Sequence, residues 1–112
     1  MRHGNYEETR AENVEAYDSK GTTIRTFITK DEAPHFMMRR FEIAPGGVIG
    51  LHGHPEEHEI YILQGEVILT DEKGNRERIK KDEFVFVPPN EKHGYINEGD
   101  ETVAFICVIP KL

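Results

Sequence analysis

The sequence predicts an all-β domain built as a sandwich or a barrel. Short runs rich in β-branched and aromatic residues recur along the chain, turns containing Gly and Pro separate them, and no stretch sustains a helical period. At 112 residues the chain is one domain, large enough for one core but not for two. Residues 1–21 read as a polar N-terminal arm and residues 22–112 as the β domain.

Each element has a local reason. In the arm, Asn13-Val14-Glu15-Ala16-Tyr17 suits a short turn or a docking strand and is too brief for a helix. Thr22 to Thr29 is rich in β-branched residues and reads as a strand, ended by Asp31-Glu32-Ala33-Pro34. Phe36 to Ile43 is the next strand, with Met37, Arg39, Phe41 and Ile43 on one face and Phe36, Met38, Arg40 and Glu42 on the other. Ala44-Pro45-Gly46-Gly47 is a turn signal, because Pro fixes φ and Gly permits positive φ. Val48 to His54 then runs extended as far as Pro55. Glu59 to Leu63 is a strand that Gln64-Gly65 breaks before Glu66 to Thr70 resumes, and Asp71 to Asn75 is a hairpin loop. Arg76 to Lys80 follows as an exposed strand and Phe84 to Val87 as a buried one. Pro88 to Lys92 is a rigid loop leading to His93. Asn97-Glu98-Gly99-Asp100 turns the chain into a last strand, Thr102 to Ile109.

Composition narrows the function classes. A net charge of −7 with only the short basic pairs Arg39-Arg40 and Lys80-Lys81 argues against a nucleic-acid partner. No run approaches eighteen apolar residues, so no membrane span is expected, and the polar start lacks the apolar stretch of a secretory signal. The single cysteine, Cys107, excludes an internal disulfide and fits a reducing cytoplasm.

The chemistry is concentrated in residues 46–65. His52, His54 and His58 fall within seven positions, beside Glu57 and Glu59. His52 and His54 are two apart, so an extended backbone points both to one face. Imidazoles converging on one face suit a transition metal. His58 has the same parity, but Pro55 interrupts the strand. A shift of one residue would turn Glu59 inward and make the site three histidines and a carboxylate. His93 follows Pro88-Pro89 and joins the set from a distant part of the chain. His3 in the arm and His35 beside Pro34 read as surface residues.

These residues resemble the cupins, double-sheet jelly-roll barrels that hold a metal inside. The first cupin motif runs Gly, five residues, His-x-His, three or four residues, Glu, then Gly about six on. Gly46, His52, His54, Glu59 and Gly65 stand in those places, with Gly65 about one residue early. The second motif is matched by Asp82, Pro88, Asn90, His93 and Asn97, with Asp82 and Asn90 in place of two glycines. Both replacements tolerate turns and Asn tolerates the left-handed conformation. Ala-Pro-His-Phe-Met-Met-Arg, His-Pro-Glu-Glu-His-Glu-Ile and Pro-Pro-Asn-Glu-Lys-His-Gly are similar to small single-domain cupins with a four-histidine manganese site. That resemblance implies a double-stranded β-helix over roughly residues 22–110. It also implies His52, His54, His58 and His93 as ligands of one divalent ion per chain, Mn first, with Fe, Ni, Co, Cu or Zn as alternatives.

Four imidazoles leave two positions on an octahedral ion for water, dioxygen or a bidentate substrate, and add no charge that would weaken its Lewis acidity. Strand parity puts Phe105, Cys107 and Ile109 on the inner face, with Ile49, Ile60 and Ile62 as apolar wall. Cys107 is either a small buried hydrophobe or a redox-sensitive pocket thiol. Arg39 either points inward to bind an anion or snorkels to the surface, and Tyr95 either donates a hydrogen bond or packs in the core. The expected function is a metal-dependent oxidoreductase of the dioxygenase type on a small molecule, with Arg39, Phe105 and Cys107 as candidate catalytic residues. The alternatives are a redox-neutral isomerase or lyase and a non-catalytic binding module. Strands apolar on both faces, such as Ile60 to Leu63 and Val103 to Ile109, imply a homodimer.

Overall fold

In the computed structural model, which describes all 112 residues, the β-branched and aromatic runs form nine strands. They are β1 (Glu12–Asn13), β2 (Lys20–Ile28), β3 (Phe36–His52), β4 (His58–Gln64), β5 (Glu66–Asp71), β6 (Arg76–Lys80), β7 (Phe84–Val87), β8 (His93–Ile96) and β9 (Val103–Pro110). The only helical elements are 3-10 turns at Tyr6–Glu8 and Ala16–Asp18. All pairings are antiparallel, and the sheet runs β6-β5-β8-β3-β9-β4-β7, with β2 added to β3 and β1 to β2. The sheet curls into a nearly closed barrel, the jelly roll that the sequence implied. No helix is long and apolar enough to cross a membrane.

The turn expected at Ala44-Pro45-Gly46-Gly47 is instead a bend inside β3, a continuous 17-residue strand. Its first half pairs with β9, from Phe36↔Pro110 to Ile43↔Val103, and its second half with β8, from Val48↔Ile96 to His52↔His93. One strand thus serves both walls of the barrel. Gly46 makes the change of direction at φ +81°. Asp82 and Asn90, in the two motif positions where glycine is usual, do sit in the left-handed region, at φ 69° and 66°.

The run Phe84 to Val87 is not buried as a whole. Val87 is inside, whereas Phe84 and Phe86 are 79% and 55% exposed. A four-residue apolar run reads as buried on both faces, but β7 lies at the end of the sheet and only its alternate residues meet the core. Inside the barrel Ile43, Ile62, Val67, Val103 and Phe105 are sealed from water. The arm is tied down by pairing of Glu12 with Ile24 and Asn13 with Thr23, by the ion pair of Arg2 with Glu32, and by the Arg40 guanidinium 4.1 Å above the Tyr6 ring.

Asn97 locks the bend of β3 to the turn after β8. Its buried amide donates to the carbonyls of Ile43 at 2.8 Å and Glu101 at 2.9 Å, and its side-chain oxygen accepts from the Gly99 N–H at 3.0 Å. Its backbone also exchanges hydrogen bonds with Gly46 and Gly47. Asn97→Ala leaves those groups unsatisfied and should lower unfolding free energy by about 3 kcal/mol, read from urea denaturation with an unchanged m-value.

Candidate metal centre

Three strand ends and a loop bring the histidines together. His52 closes β3, His54 lies in the loop beyond it, His58 opens β4 and His93 opens β8. His52 and His93 are directly opposite each other across the β3–β8 pair. Their ring centroids are 4.4 Å apart, those of His54 and His58 4.5 Å, and those of His58 and His93 5.0 Å. Ring nitrogens of His52, His54 and His93 all lie within 4.8 Å of one another, a spacing that can hold one ion.

Each imidazole is held from behind by its Nδ1. His52 Nδ1 donates to the Gly50 carbonyl at 2.7 Å, His54 Nδ1 to that of Glu56 at 2.9 Å, and His93 Nδ1 to that of Glu91 at 2.8 Å. A carbonyl only accepts, so these three rings carry their proton on Nδ1 and turn an Nε2 lone pair to the centre. His58 Nδ1 meets the Cys107 sulfur at 2.6 Å, and its Nε2 faces His54 Nε2 at 2.7 Å. His93 Nε2 is buried with no hydrogen-bond partner. An orphaned nitrogen and two nitrogens that close together are what a cation would satisfy, and neutral imidazole suits Mn, Fe, Co, Ni, Cu or Zn.

Burial disfavours the charged form of His52, His58 and His93. Burial, followed by the neighbouring His54, His93, Arg39 and His52, pushes His58 down to about 2. Burial pushes His93 down to about 4, against the opposing effect of the Glu91 carbonyl. His52 is lowered by burial too, partly offset by the Gly50 carbonyl. Glu59 is exposed on the outer face of β4, opposite Phe86 and Val108, while His58 is buried on the inner face.

A cavity of about 420 Å³ opens onto His52, His54 and His58, walled by Phe41, Ile49, Phe105 and Ile109. Arg39 turns inward to line it. Its guanidinium lies 5.1 Å from the Phe41 ring and donates to Cys107 Sγ at 3.2 Å, and its Nε is buried without a partner. Cys107 does not reach the cavity. It lies behind His58 and Arg39, 1% exposed, and burial raises its thiol pKa. Tyr95 stacks on Phe105 in the core. His35 is exposed and away from the cavity, and His3 lies in the arm.

Sequence reasoning missed the far wall, which is the arm itself, from Asn13 to Tyr17. The one available signal was Val14, Ala16 and Tyr17 among polar neighbours, too short a pattern to read.

Residues 39–109 match the cupin domain family model. The chain is 35% identical over 94 residues to an oxalate-binding protein of Thermotoga maritima, covering 80% of this chain and 77% of that protein. Among solved structures it is similar to the polyketide cyclase RemF of Streptomyces resistomycificus, with a TM-score of 0.92 and 33% identity over 98% of this chain and 79% of that one. It is also similar to a predicted oxalate decarboxylase of Thermotoga maritima, with a TM-score of 0.85 and 27% identity, covering 96% and 97% of the two chains.

The depressed histidines set a pH dependence for the metal-free chain. Unfolding returns His58 and His93 to ordinary imidazole values, so below about pH 6.5 the unfolded state binds more protons than the folded one. The stability they contribute is therefore complete above that pH and falls away as pH drops toward about 4 for His93 and beyond it for His58. Denaturation midpoints in urea should fall steadily from pH 7 to pH 4.5, and His58→Leu should flatten the slope.

Proposed function

We propose that this chain, which belongs to the cupin domain family, is a metal-dependent oxidoreductase of the dioxygenase type acting on a small molecule with an anionic oxygen group. The observation that carries this reading is the inward set of imidazole Nε2 atoms, one of them orphaned, beside a guanidinium whose buried Nε also lacks a partner. His52, His54, His58 and His93 would hold one divalent ion. Manganese comes first because of the resemblance to the four-histidine cupins. When bound, such an ion supplies Lewis acidity and a redox-active centre.

The chain's own residues supply the rest. Arg39 binds the anion, its planar fork held over Phe41 and its buried Nε left without a partner. The Thermotoga relative's name makes small carboxylates the first class to try. Phe105, Phe41, Ile49 and Ile109 exclude water and hold the apolar part of the substrate. Cys107 orients His58 and Arg39 from behind rather than meeting the substrate. A lone buried cysteine also suits a reducing compartment, and the cytoplasm is the location assigned here.

A redox-neutral reaction is the second reading, favoured by the likeness to a polyketide cyclase. Elemental analysis of chain purified without added metal, alongside His58→Ala and Glu59→Ala, is the first test. About one equivalent of Mn or Fe should be lost with His58 and kept without Glu59. Small carboxylates and enols should then drive oxygen consumption that needs a redox-active ion. Equal turnover under nitrogen with zinc would move the assignment to the redox-neutral reading. Metal without turnover, together with a co-purifying ligand, would move it to a binding module.

The proposal includes a homodimer through the outer face of β3, β9, β4 and β7. Two cross-strand rows lie there, Met38–Val108–Glu59–Phe86 and Arg40–Ile106–Tyr61–Phe84, with large rings left in water. Light scattering should return twice the 12.9 kDa chain mass, and Phe84→Asp with Phe86→Asp should shift it to the monomer.

A further inference from the structure

The arm supplies a contact to the metal centre that no histidine motif announces. Pairing of β1 with β2, and a 3.0 Å hydrogen bond from the Val14 N–H to the Thr22 carbonyl, bring the chain to β3 with little slack. There Ala16–Asp18 forms a 3-10 turn in which Tyr17 and Asp18 both take left-handed backbone angles, φ 59° and 57°. Consecutive non-glycine residues in that region are disfavoured, because Cβ crowds the carbonyl oxygen, and such strain persists only where surrounding contacts impose it. Here the Tyr17 backbone is pressed against β3 at Gly50. A Cβ on Gly50 would sit 2.1 Å from the Tyr17 carbonyl oxygen, so only glycine seats this turn on β3. The Gly50 carbonyl, meanwhile, accepts the His52 Nδ1–H at 2.7 Å.

The turn delivers the Tyr17 ring flat onto the His52 imidazole, with centroids 4.0 Å apart and planes within 5°. The ring is held there although Tyr17 is 51% exposed. A hydrogen bond at Nδ1 fixes one point of an imidazole and leaves the ring free to tilt about it. A second ring lying against its face removes that freedom. Gly50 and Tyr17 together therefore define both the direction of the His52 Nε2 lone pair and the plane that contains it.

We propose that Tyr17 is a positioning residue of the metal centre, orienting His52 by ring stacking from an arm outside both histidine motifs. The inference rests on His52 being a ligand, as the proposed function has it.

The 112-residue chain loaded with one equivalent of Cu(II), and separately titrated with Co(II), tests it. Tyr17→Leu removes the ring from a half-exposed position and should leave the metal-free melting temperature close to that of the parent. It should raise the Co(II) dissociation constant roughly tenfold and split the Cu(II) paramagnetic resonance spectrum into more than one coordination species. Tyr17→Phe keeps the stack and should restore both readouts. His52→Ala should lose Co(II) binding far more severely. Parental affinity and spectrum in Tyr17→Leu, with binding lost in His52→Ala, overturns the role of Tyr17 alone. Failure of Tyr17→Phe to restore the readouts overturns the stacking mechanism. Parental Co(II) binding in His52→Ala overturns the ligand assignment and this inference with it.

Discussion

The structure depends on a single strand changing neighbours midway. Strand β3 pairs with β9 before its bend and with β8 after it, so whatever the first half carries is brought over whatever the second half carries. Arg39 comes from the first half and His52 from the second, and the cavity is the space between them. The bend itself is held by hydrogen bonds and not by shape alone, since Asn97 bonds to both of its flanks. A buried amide with every group satisfied is rigid, because moving it strands polar atoms away from water.

The centre is built to stay neutral while gathering lone pairs. Burying imidazoles side by side costs little if none is charged, and burial itself disfavours the protonated form of His52, His58 and His93. The carbonyls of Gly50, Glu56 and Glu91 then fix the tautomer of three rings without adding net charge. The fourth ring is different in kind, because His58 rests on a sulfur that also receives Arg39. Arg39 and one imidazole are thus joined through a shared atom.

Much of this could be read from the chain because it is locally encoded. Parity puts His52 and His54 on one face, and the turn-tolerant Asp82 and Asn90 adopt the left-handed geometry their motif positions require. What could not be read depended on contacts between distant segments. Whether His58 or Glu59 faces inward turns on where β4 begins after the Pro55 loop, and β4 begins at His58 itself. Phe84 and Phe86 looked buried because an apolar run carries no record of its place in the sheet. Tyr17 carries no turn signal of its own, and the seat of its turn on β3 is made by a bare Gly50 more than thirty residues away.

The two ends of the sheet path bear on how this molecule can associate. An unpaired strand edge invites another chain to add to it by backbone hydrogen bonds. At one end, β6 alternates Arg76, Glu77, Arg78 and Lys80, and a strand laid beside it would have to match those charges. At the other, β7 is only four residues long, with Asp82-Glu83 before it and Pro88-Pro89 after it, and proline has no N–H to give. Neither of these two edges offers a long ladder, so addition of another strand is disfavoured at both. A side-chain face, unlike a strand edge, lets association stop at two, as the proposed dimer requires.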